Sequence, residues 1–155
     1  MCFGGYYAPR GAAFEKADQG VLCVGSGMGL RRHLAAQMGH EVEDDSDALL
    51  AAAVGDGHDT MEEALVRVRA YTLDDAIPQL AQPLLIVHGD HDTAFPVSDA
   101  EAAFAAAGSK DKALRIFSAG EGGAQHVNAD DPDPVRQLIV DWFAQHLGTL
   151  AGPCA

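Results

Sequence analysis

The sequence predicts an α/β fold built on a small parallel sheet, and three observations predict it. Short apolar runs alternate with helical patterns along the chain. The runs are rich in Val, Ile and Leu, as expected of strands covered on both faces. Each is bounded by Gly or Pro, so the strands are short and sharply ended.

Three runs read as parallel strands, at about 21–25 (VLCVG), 83–88 (PLLIVH, closed by Gly89) and 113–117 (ALRIF). Helices flank them. The first begins just after Cys2, and Pro9 inside it predicts a kink because the ring removes an N–H and crowds the preceding turn. Thr60 with Glu63, and Ser98 with Glu101, have capping-box spacing, so helices are expected to start there. Gly108 supplies a left-handed stop for the second. The last helix is expected to take Asp133 as cap and Pro134 as its first residue. Its apolar residues Val135, Leu138, Ile139, Trp142, Phe143 and Leu147 keep to one stripe, which should lie on the sheet. Residues 1–150 form a single domain, with a helical, cap-like insertion at about 39–72 and a tail at 151–155. The acidic stretch 39–59 has two open readings, a cap with a short helix near 46–53 or a solvated loop. Glu43, Asp44, Asp45 and Asp47 read as a solvated face rather than a cation site.

Composition narrows the function. At 155 residues the chain has room for one core, burying roughly two-thirds of the unfolded surface. Asp and Glu outnumber Lys and Arg by 23 to 10, and a net charge of -13 repels phosphate backbones and anionic lipid. No run approaches a membrane span and no signal-peptide layout opens the chain, so a cytoplasmic protein is expected, acting on a small molecule. The three cysteines, at 2, 23 and 154, suggest neither a disulfide framework nor a zinc site. Cys23 reads as a packing residue and Cys154 as part of the tail. Gly25, Gly27 and Gly29 lack dinucleotide-motif spacing, and HGDHD lacks hydrolase zinc spacing, so no cofactor and no metal are expected.

The segment LLIVHGDHDTAFP carries the first chemical signal. A buried strand runs into a loop with Asp90, His91 and Asp92, at the carboxyl end where parallel sheets bind ligands. After another helix and strand comes SAGEGGAQHVNADD, whose glycines let a loop fold down to the sheet edge with His126. An Asp after one strand and a His thirty-four residues later, after the next, have the order of the last two members of a nucleophile–acid–base triad. The imidazole must take a proton from the nucleophile on one nitrogen while the carboxylate fixes the tautomer at the other. The alternatives are a loop carboxylate capping the helix at Ser98, for Asp92, and a plain turn residue, for His126. His88 reads as a buried, hydrogen-bonded scaffold residue and His91 as solvated.

FGGYYAPRGAAFEK, TLDDAIPQLAQPLLIVHGDHD and GEGGAQH resemble the C-terminal half of an α/β-hydrolase. The nearest group contains the fermentation-respiration switch protein, fungal polyketide-shortening hydrolases and the dihydropseudooxynicotine hydrolase. The likeness runs from Cys2 to the last helix, poorly over 24–58. It implies a partial α/β-hydrolase whose N-terminal strands are absent, with Cys2 as nucleophile, Asp92 as acid, His126 as base and the backbone N–H of Phe3 in the oxyanion hole. Cys where the group has Ser is a departure. One reading keeps the activity, since a thiol at a helix N-terminus beside a His ionises readily and dienelactone hydrolases use Cys in the same fold; the other is lost activity. The competing nucleophile is Ser26 in VLCVGSGMGL, but Val24 and Met28 are bulky for the tight turn such a nucleophile needs.

Two functions are therefore expected. One is hydrolysis of an ester, or of the C–C bond of a β-diketone-like substrate, weak or absent in this chain because the strands and the oxyanion donor upstream of Cys2 are missing. The other is a non-catalytic half-domain acting by binding or assembly, including self-association through an exposed edge of the strand at 21–25. The first supposes coding sequence upstream of Met1, the second a degenerate fragment.

Overall fold

The structure is a computed structural model and describes residues 4–14, 20–24 and 73–146. In chain order these form helix α1 (Gly4–Phe14), strand β1 (Val21–Val24), a 3-10 turn (Ile77–Gln79), strand β2 (Leu84–Gly89) and helix α2 (Val97–Ala106). Strand β3 (Lys112–Phe117), a second 3-10 turn (His126–Asn128) and helix α3 (Asp133–His146) follow. The strands make one parallel sheet of order β1-β2-β3, with Val21 beside Leu84 and His88 beside Ile116. All three predicted strands are present within a residue of their expected ends. The expected capping pair Thr60–Glu63, the helix near 46–53, the insertion at 39–72, Leu147 and the tail lie outside the described residues.

Strand β2 sits at the centre and is buried along its whole length. Its side chains alternate between two cores, as strand geometry requires. Leu84 and Ile86 face Val21, Cys23, Leu73, Ile77, Leu80 and the alanines of α2. Leu85 and Val87 face Phe117, Val135 and Trp142. The α3 stripe thus lies on the sheet, with Leu138, Ile139 and Phe143 completing that face. Each fully buried Leu or Ile contributes roughly 1.5–3 kcal/mol. Burial among these apolar groups pushes the Cys23 thiol up to about 12, so it is chemically quiet.

Helix α1 packs on the first core through Ala12 and Ala13 and runs unbroken through Pro9. Two long-range ties hold it. Arg10 pairs with Asp75 at 3.1 Å, and the Gln82 amide donates to the Ala12 carbonyl at 2.8 Å.

Helix ends differ from expectation in three places. The residue before α2 is Pro96, in extended conformation and without a side-chain cap, so Ser98 and Glu101 are not a capping box but sit inside the helix. The first turn instead carries Asp99, an acid well placed against the N-terminal dipole. The C-terminus is stopped not by a left-handed Gly108 but by Lys112, whose ammonium donates to the carbonyls of Phe104 and Ala107 at 2.7 and 2.8 Å. Gly108 has another role. Its N–H donates to Ile77 O at 3.1 Å, and a Cβ there would come within 2.0 Å of the Pro78 carbonyl oxygen. Finally, α3 begins one residue early, with Asp133 inside it and bonded to Arg136 rather than to a backbone N–H.

Candidate active site

Two loops leave the carboxyl end of the sheet side by side, one after β2 and one after β3. They are locked together at Gly89. The N–H of Asp90 donates to Phe117 O and that of His91 to Ala124 O, both at 2.9 Å. A Cβ on Gly89 would lie 2.0 Å from the Ala124 carbonyl oxygen, so only glycine lets the second loop descend onto the strand end.

Asp92 lies in the first loop with its side chain 1% exposed. Its two oxygens have separate tasks. Oδ1 accepts the N–H of Ala94 at 2.8 Å and of Phe95 at 3.0 Å, which ties off the turn before α2. Oδ2 lies 2.9 Å from Nδ1 of His126. The carboxylate is therefore both a local cap, though not of the helix at Ser98, and the partner of the histidine. Since Oδ2 is an acceptor, the proton sits on Nδ1, which leaves Nε2 as the lone-pair nitrogen of the neutral ring.

His126 is 29% exposed, and among the described residues Nε2 has no hydrogen-bond partner. The ring packs against Phe95, centroids 5.7 Å apart. Gly122 and Gly123, at φ 83 and 81, turn the chain toward the histidine. Val127 and Asn128 follow it at φ 50 and 58, a conformation costly for a β-branched residue. The buried Asn128 amide donates to Gly123 O, closing the loop on itself.

His88 is fully buried, and its Nε2 lies 3.1 Å from the Phe95 carbonyl and 4.0 Å from Asp92 Oδ2. It braces the loop that carries the acid, as a scaffold residue would. His91 is exposed. The expected nucleophile Cys2, the oxyanion donor Phe3 and the competing Ser26 lie outside the described residues. Phe95, Asn128 and Asp130 were not singled out by sequence reasoning. Asp130, four residues after His126, had only its place in the text ADD to mark it. Among the described residues, no three His, Cys, Asp or Glu side chains gather as a metal site would require, and no helix is long and apolar enough to cross a membrane.

No protein-family model and no curated protein matches the chain. Solved structures do. The 2,6-dihydroxy-pseudo-oxynicotine hydrolase superposes with a TM-score of 0.71 at 25% identity, over 94% of this chain and 38% of its own. Est1E from Butyrivibrio proteoclasticus, also solved with ferulic acid bound, gives 0.70 at 17% identity over 96% of this chain and 60% of its own. A structure reported with the metagenome-derived lipolytic enzymes LipS and LipT gives 0.62 at 17%, over 94% and 63%. The chain thus spans less than two-thirds of the length of each of these structures. With a parallel sheet, helices on both faces and two joined loops at its carboxyl edge, the chain carries part of the α/β-hydrolase fold.

Proposed function

We propose that this chain supplies the acid and base of a hydrolase that cleaves an ester, or the C–C bond of a β-diketone-like substrate, through a Cys2–His126–Asp92 triad. The observation that carries the reading is the 2.9 Å approach of Asp92 Oδ2 to His126 Nδ1, with Nε2 left to face a reacting group. Helix α1 supports Cys2 as third member. Its C-terminal turn is tied to Gln82 at the amino end of β2, and eleven residues of helix run about 16 Å, nearly the length of β2. Its N-terminus, two residues after Cys2, then points to the same rim as Asp92 and His126.

In the proposed reaction His126 Nε2 takes the thiol proton while Sγ attacks the substrate carbonyl carbon. Asp92 holds the tautomer and stabilises the imidazolium. The tetrahedral intermediate collapses, the leaving oxygen or carbon takes the proton from Nε2, and an acyl-thioester remains on Cys2. Water, deprotonated by the same Nε2, then releases the acid and the thiol. The resemblance puts the Phe3 N–H in the oxyanion hole, and losing one donor of such a hole costs about 100 to 1000-fold. With the chain spanning 38% to 63% of the hydrolases above, its turnover alone is expected to be weak. The same reading makes the substrate a small molecule and the enzyme cytoplasmic.

A second reading, a non-catalytic half-domain, is favoured by the chain's spanning only 38% to 63% of the three hydrolases above. Hydrolysis of p-nitrophenyl acetate by the chain and by its Cys2→Ala and His126→Ala variants separates the two. The triad predicts a burst or slow turnover that both substitutions abolish. Equal rates in all three proteins would remove the catalytic assignment and leave the half-domain.

A further inference from the structure

Helix α3 begins five residues after Asn128, and between them one side chain holds the loop that precedes the histidine. Asp130 Oδ2 accepts the N–H of Ala124 at 3.0 Å and Oδ1 that of Gln125 at 2.9 Å. These are the two peptide groups leading directly into His126. On the far side of the histidine, Asn128 N–H donates to Gln125 O at 2.8 Å and Ala129 N–H to His126 O at 3.2 Å. The Ala124 carbonyl is at the same time fixed on His91 N–H over Gly89. Both ends of one peptide group are therefore held, its carbonyl by the β2 loop and its N–H by Asp130.

We propose that Asp130 is a positioning residue for His126: its carboxylate clamps the two N–H groups that lead into the histidine and so fixes the approach of Nδ1 to Asp92. The proposal rests on the reading of His126 as base. The Gln125 N–H, followed by that of Ala124, holds the Asp130 carboxyl below its ordinary range, consistent with an anion that prefers this clamp to water. A neutral side chain cannot replace it fully. Asparagine offers one acceptor oxygen where two N–H groups point, and alanine offers none.

The test is long-range 1H–15N NMR of the His126 ring in the full chain, with the amide signals of Leu85 and Ile86 reporting that β2 remains folded. The native protein is expected to show a single tautomer with the proton on Nδ1. In Asp130→Ala the ring nitrogens become averaged between tautomers, and exchange of the Ala124 and Gln125 amides speeds up by about tenfold or more. Asp130→Asn gives an intermediate result and decides the matter if the alanine variant does not fold. A folded Asp130 variant that keeps one fixed Nδ1–H tautomer would overturn the proposal while leaving the dyad intact. A native ring without that tautomer, or one indifferent to Asp92→Asn, would overturn the dyad and the proposal together.

Discussion

The loops after β2 and β3 end on the same hydrogen bond, yet they are built in opposite ways. The first is short, and its functional side chain is buried and anchored to its own backbone through Ala94 and Phe95. The second is long and glycine-rich, its histidine is partly exposed, and its shape depends on positive-φ residues and on side chains that follow the histidine. Asp92 is fixed by burial, whereas His126 is aimed by the peptide chain beneath it and stays partly exposed. The proposed triad asks for an acid that need not move and a base that trades protons with substrate, and these two constructions suit those tasks.

Replacing the acid should give the largest effect. In Asp92→Asn the two backbone donors at Oδ1 keep the amide oxygen in that position, so the NH2 group falls where Oδ2 was and faces His126 Nδ1. The proton is forced onto Nε2, the wrong nitrogen, and acyl transfer should fall by about 10⁴-fold with the fold retained. Burst amplitude with p-nitrophenyl acetate measures it. Next comes the junction of the loops. Gly89→Ala drives a methyl group into the Ala124 carbonyl and should cost about 3 kcal/mol in urea unfolding, with shifts in the His126 loop exceeding those in α2. A cost below about 0.5 kcal/mol would mean that the loops are not locked there.

Acid should loosen the second loop, with a smaller effect than either substitution. Glu121 is lowered from 4.5 to about 2 by the Ser118 hydroxyl and then by Arg115, and Asp130 is lowered by the Gln125 and Ala124 N–H groups. Each group binds a proton more readily in the unfolded chain. Their stabilisation is therefore present above the ordinary carboxylate range and is lost as pH falls below it, for Glu121 toward about 2. Amide exchange at Gln125 should quicken over that window. Unchanged protection at pH 2.5 would separate loop order from these carboxylates.

Much of this could be read from the chain before any coordinates. The three strands were legible because β2 is buried on both faces and so is apolar at every position from Leu84 to Val87. The pairing of Asp92 with His126 was legible because each follows a strand at the carboxyl rim of a parallel sheet. The failures were local choices that tertiary structure reversed. Ser98 and Glu101 have capping spacing, but Pro96 and the Asp92 turn start α2 earlier. Gly108 resembles a helix stop, but Lys112, from the next strand, reaches the free carbonyls and the glycine serves a close approach to Pro78. Asp130 and Asn128 carry no signal in the text, because what they bind exists only after the loop has closed. A left-handed Val127 runs against local preference altogether, and loop closure overrides it.

The central claim is that His126, oriented by Asp92, faces a nucleophilic thiol at Cys2. Its most direct test is the alkylation rate of Cys2 by iodoacetamide at pH 7 in a Cys154→Ser background, where the buried Cys23 thiol, pushed up to about 12, stays silent. The account predicts rapid labelling mapped to the Cys2 peptide, slowed about tenfold or more in His126→Ala. Labelling at the rate of a free thiol, unchanged by removing the imidazole, would contradict it.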